Sequence, residues 1–240
     1  MFAYDPVLLA AVKNEPDSVA DVLRTMRAID ANCIEGDGLK WFNWLYLQVT
    51  TAVDARIQAG GFTDPAWLSQ LDVEFAKFYF AALEAELTGG APSSCWRVLF
   101  DMRQASAVTR IQFALAGINA HINHDLPAAI VKTAVVLSTS PNHDDPHYAD
   151  YTALNTTLDS LIDMAKQTLL VRLSGEPLPV VSQVEDLIAA FSVSAAREAA
   201  WRNAELLWHL RDSTLMTANL MGTLDGLTTV ANKTLLTAVI

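Results

Sequence analysis

The chain has 240 residues, 52% of them hydrophobic, enough for one large core, and no stretch reads as a flexible interdomain linker. A formal charge of −11, with 16 Lys and Arg against 27 Asp and Glu, argues against a nucleic-acid partner, and Lys132, Asn119 or Asp212 interrupts each apolar run well before the ~20 residues needed to span a bilayer. Cys33 and Cys95 stand far apart without metal-type spacing, and Asp5 rather than Lys or Arg precedes the apolar run Val7 to Val12, so unpaired thiols and a cytoplasmic location are expected.

Apolar residues recur at three- and four-residue spacing along most of the chain, which predicts an all-α, single-domain bundle or orthogonal array of about eight helices over residues 1–240. The first helix is expected from Asp17 to about Ala31. A second starts near Asp37, carries Trp41, Phe42, Trp44 and Leu45, and stops at Gly60-Gly61. Asp64-Pro65 has the form of an N-cap followed by Pro in the first turn, and opens a helix running to Gly89-Gly90. A short helix follows from Ser94 to about Gln104, then a central helix from Val108 to Asp125. Pro127 has no amide proton and crowds the preceding turn, so the central helix should end or kink there, with Leu126 to Leu137 a bent continuation or a new helix. Ser138 to Pro146 reads as a loop. Asp145-Pro146 repeats the cap signature and should open a helix reaching about Leu173, Ser174 to Pro179 is a turn, and further helices are expected over Val184 to Ala190, Ser194 to Arg211 and Leu215 to about Val230.

The richest segment chemically is Phe113 to Pro127, which sets His121, His124, Asp125, Asn119 and Asn123 into apolar sequence. Each helical residue advances about 100°, so His121, His124 and Asp125 share a face with Gly117 one turn before. Buried there, they require hydrogen bonds, ion pairing or a metal. Two readings stand side by side. In one, His121, His124 and Asp125 are catalytic groups and ligands to a divalent metal (Zn, Fe or Mn), completed by His143 and His147 from the following loop, with Asp144, Asp145 and Asp150 as further donors. In the other, the string organises the kink, Asp125 caps the helix that follows and His143 is a solvated loop residue.

Asn43, Asp72, Arg110, Asn119, Asn123 and Arg202 are the candidate pocket residues, Arg202 as a bidentate partner for Asp125 or an anionic substrate. Six Trp, nine Phe and five Tyr suit either an apolar pocket or plain core. Cys95, beside Trp96, reads as a small core residue, and no glycine-rich phosphate loop points to a nucleotide cofactor. The function expected on these grounds is a metal-dependent enzyme acting on a small, partly hydrophobic molecule in a cavity among the helices. Hydrolysis comes first and iron-type oxygenation second; the alternative is a non-catalytic helical protein that binds a small molecule or a partner.

Leu39 to Thr50, Leu71 to Phe80, Phe113 to Pro127 and Trp201 to Trp208 together resemble the uncharacterised, mainly actinobacterial domain of unknown function family 5995, and Asn119 to Pro127 (Asn-Ala-His-Ile-Asn-His-Asp-Leu-Pro) is the most specific part of the match. The resemblance implies a single helical domain with a characteristic polar segment and transfers no catalytic role.

Overall fold

A computed structural model describes residues 2–176 and 191–238. Its helices are α1 (Asp5–Val12), α2 (Val19–Asn32), α3 (Gly38–Gln58), α4 (Pro65–Leu87), α5 (Ser94–Asp101), α6 (Arg110–Ala120), α7 (Leu126–Leu137), α8 (Pro146–Ala153), α9 (Asn155–Thr168), α10 (Val193–Leu210) and α11 (Thr214–Leu235), with a π-turn (His121–Asp125) between α6 and α7. Among the described residues no strand forms; one isolated bridge joins Thr109 to Arg172.

Local chemistry sets most helix starts. Ser18, Asp37, Asp64, Asp145, Ser192 and Ser213 each accept a backbone N–H from the first turn of the helix that follows. At α6, Thr109 and Gln112 form a reciprocal capping box. Every residue from Ile111 to Ala120 is buried, as expected of a helix apolar on all sides. The rod formed by α6, the π-turn and α7 is the axis of the fold: α3, α5 and α11 pack along α6, while α4 and α10 pack along α7. Gly117 allows the closest approach, since a Cβ there would lie 2.3 Å from the Phe42 ring of α3.

The interruption expected at Pro127 takes the form of the π-turn just before it. The Leu126 N–H donates to the His121 carbonyl, five residues back, and Pro127 then enters the first turn of α7, where its missing donor is tolerated. Three other expectations change. The apolar run near the amino end is helix α1. The helix expected from Pro146 to Leu173 is two, broken at Leu154. Its end comes at Thr168, because Leu169 and Val171 carbonyls accept the N–H groups of Ile111 and Arg110, and the Leu173 N–H donates to the Val108 carbonyl. The helix expected over Val184 to Ala190 lies outside the described residues.

One core runs from Leu8 to Leu236. It is stapled near the amino end by buried Arg103, which donates to Asp5 at 3.0 Å and to Asp37 at 2.9 and 2.6 Å. No helix among the described residues is long and apolar enough to cross a membrane, and Cys33 and Cys95 are both buried and unbridged.

Candidate functional site

The π-turn points its polar residues into the protein. Asp125, 2% exposed, takes three side-chain hydrogen bonds: from Trp96 Nε1 at 2.9 Å, His121 Nδ1 at 2.9 Å and His124 Nδ1 at 2.6 Å. A carboxylate only accepts, so both imidazoles carry a proton on Nδ1. Burial alone would raise the Asp125 pKa, but the hydrogen bonds from the two histidines outweigh it and hold the carboxyl below its ordinary range. His121 stacks on Phe75 at 3.5 Å with rings 6° from parallel, and Tyr46 meets it edge-on at 4.6 Å. Burial lowers its pKa, so it is the neutral member. For His124 the burial effect is overcome by the Asp125 hydrogen bond and charge, and its basicity rises.

His124 also faces a second set of groups. Cys95 Sγ, a His124 ring nitrogen and an Asp225 carboxylate oxygen lie within 4.8 Å of one another, the one such group of three metal-type donors among the described residues. Asp225 reaches across from α11 to the start of α5, where its oxygens accept the Ser94 N–H at 3.0 Å and the Cys95 N–H at 2.8 Å. Burial opposes its ionisation, yet these amides keep its pKa below the usual value. The Cys95 thiol is pushed well up by burial, with Asp125 and Asp225 adding to the effect, so in the metal-free protein it stays protonated and is a poor nucleophile. A divalent cation held there would reverse that balance, since it would stabilise the thiolate and the carboxylate together. A chain of amides supports this corner: Asn123 donates to Asn119 at 2.8 Å, Asn119 to Asn232 at 2.8 Å, and Asn232 to the Cys95 carbonyl at 3.0 Å.

The structure brings His121, His124 and Asp125 together and places His143 and His147 elsewhere. His143 is held on α10, with Nδ1 2.7 Å from Glu205 and Nε2 3.3 Å from Glu198. His147 lies between Asp145 at 2.6 Å and Asp64 at 3.1 Å and stacks on Trp67. Asp150 accepts the Thr63 and Asp64 N–H groups. Asp125 makes no side-chain cap to α7, because three side-chain donors already use its oxygens.

Pocket candidates divide similarly. Asn43 donates to the Met26 carbonyl and accepts from Tyr79, tying three helices together. Arg110 pairs with Glu35 at 2.7 Å over the Trp41 ring. Arg202 is exposed on α10 and pairs with Glu198 rather than Asp125. Asp72 is buried, its Oδ2 has no partner among the described residues, and burial, with the Asp54 charge, pushes its pKa up to about 7. Cys95 and Asp225 were not foreseen as partners of His124. They come from helices 130 residues apart in sequence, and neither carries a local spacing signal.

An all-helical domain organised around a buried His-Asp-His cluster is the class defined by this fold and site. The chain belongs to the family described as "Family of unknown function (DUF5995)", whose pattern it matches over residues 19–238. No curated protein and no solved structure matches it.

Proposed function

We propose that this protein is a metal-dependent hydrolase acting on a small, partly hydrophobic organic molecule, with Cys95, His124 and Asp225 holding a zinc-type divalent cation. The observation that carries the reading is the gathering of three unlike donors at Cys95, His124 and Asp225, with the His124 Nδ1 donating to the buried Asp125 carboxylate. That pairing is the usual arrangement behind a metal-bound histidine: the carboxylate fixes the tautomer and raises ligand basicity. Thiolate, imidazole and carboxylate together suit zinc, and three protein ligands leave a position for the water that such a cation activates. Iron-type oxygenation ranks second, because its sites use two histidines and a carboxylate without a thiolate.

The chain's own residues supply orientation and access. Trp96 and His121 lock Asp125, and Asp125 locks His124. The His124 side chain keeps 14% exposure. One turn along from His124 and Asp225, Ala128 and Met221 line an apolar groove of about 360 Å³ with Phe78, Val131 and Leu207, which suits a partly hydrophobic substrate. Unpaired thiols agree with a reducing, cytoplasmic setting, and the net charge of −11 disfavours nucleic acid as a partner.

The test is elemental analysis of untagged protein after incubation with Zn, Fe or Mn. Near-stoichiometric zinc, lost in Cys95→Ser and His124→Gln while helicity is retained, is the expected result. Protein that takes up no metal under any of these conditions overturns the proposal and favours the non-catalytic reading.

A further inference from the structure

Helix α11 has 22 residues and is about 33 Å long at the usual helical rise. Its inner side, with buried Leu224, Thr228, Asn232 and Leu235, packs on α5, α6, the π-turn and α10. Its outer side carries Leu215, Met216, Leu227 and Val230, which are between 52% and 72% exposed. A Cβ at Gly222 or Gly226 would meet nothing within 4 Å, so the middle of this side stands open to a neighbour. Between Thr214 and Asn232 the sole charged residue is Asp225, and its carboxylate is turned to the Ser94 and Cys95 amides. In a chain of net charge −11, an exposed uncharged face of this length lets two copies approach with little mutual repulsion.

The face is also complementary to itself. Leu215, Asn219, Gly222, Gly226, Val230 and Lys233 follow at intervals of three and four residues and so form one stripe. Opposite charges bound it: exposed Asp212 just before the helix and exposed Lys233 in its last turn. Arg211, beside Asp212, is folded back onto the Trp208 ring and carbonyl. Let two copies of α11 lie antiparallel about a two-fold axis passing between Gly222 and Thr223. Asp212 then stands level with the partner's Lys233, Leu215 with the partner's Val230, and Asn219 with the partner's Gly226. One register thus sets acid against base at both ends and Leu against Val inside them, whereas a parallel pair would set like charges together. We propose that the outer face of α11 is the contact surface of a symmetric, antiparallel homodimer. A single helix pair buries less than the roughly 800 Å² per partner of a standard interface, so the dimer is weak and concentration-dependent.

The experiment is sedimentation equilibrium of the full, untagged chain from micromolar to near-millimolar concentration, where a reversible monomer–dimer equilibrium is expected. Val230→Asp, at an exposed position, should leave the chain monomeric throughout with its helicity and melting temperature preserved. Asp212→Lys should weaken association about tenfold even though it lowers the net negative charge, and adding Lys233→Asp should restore it. Thr223→Cys, beside the axis, should form a disulfide with its own copy on oxidation, because Cys33 and Cys95 are both buried. This last readout stands even if Val230→Asp fails to fold. A chain that stays monomeric at every concentration, a dimer indifferent to Val230→Asp, an Asp212→Lys defect that the second exchange does not repair, or a Thr223→Cys protein that does not cross-link would each overturn the proposal.

Discussion

His124 and Asp125 are consecutive residues, yet His124 Nδ1 lies 2.6 Å from Asp125 Oδ1. In a regular α-helix neighbouring side chains diverge by about 100°. The wider π-turn reduces that divergence, and it brings the pair together at the point where His121, four residues before Asp125, reaches the other carboxylate oxygen at 2.9 Å.

Because three donors converge on Asp125, removing it should be costly. Asp125→Ala leaves two imidazoles and the Trp96 indole unpaired in the core, and an unfolding midpoint in denaturant should report a loss of about 3–5 kcal/mol. Asp125→Asn, which keeps the shape, should lose less. A change below about 1 kcal/mol for the Ala variant would show that the network does not hold the rod together.

Asp72 sets a pH dependence. Its pKa is raised from the ordinary 3.8 to about 7, first by burial and then by Asp54, so the folded protein keeps a proton that the unfolded chain releases. Stability from this group is therefore full below about pH 4, falls as the pH climbs toward 7, and is level above that; the total fall is of the order of 4 kcal/mol. Asp72→Asn should flatten that part of the stability profile and be the more stable protein at pH 8. Equal slopes in the two proteins between pH 4 and 7 would contradict the assignment.

Glycines on two helices should respond in opposite directions. Gly117→Ala drives a methyl group into the Phe42 ring, 2.3 Å away, and should cost about 1–3 kcal/mol or more. Gly222→Ala, on the exposed side of α11 with nothing within 4 Å, should stabilise by up to about 1 kcal/mol. Thermal melts of both variants check the contrast.

Arg103 is buried between Asp5 and Asp37, so Arg103→Met leaves two carboxylates without their cation. A destabilisation of about 3–5 kcal/mol is expected, together with loosening of α1 visible as faster amide exchange from Asp5 to Val12.

Local sequence determined most of the helices, the proline-marked caps and the family. Asp64-Pro65, Asp145-Pro146 and the apolar periodicity act within a turn or two, so their consequences are written locally, and the same holds for His121, His124 and Asp125 on one face. Tertiary structure decided what those residues meet. Asp225 and Cys95 reach His124 only because α11 crosses the start of α5, and His143 is withdrawn to Glu198 and Glu205 only because the loop after α7 lands on α10. Partners so distant along the chain leave no spacing to read; the packing of the helices alone brings them together.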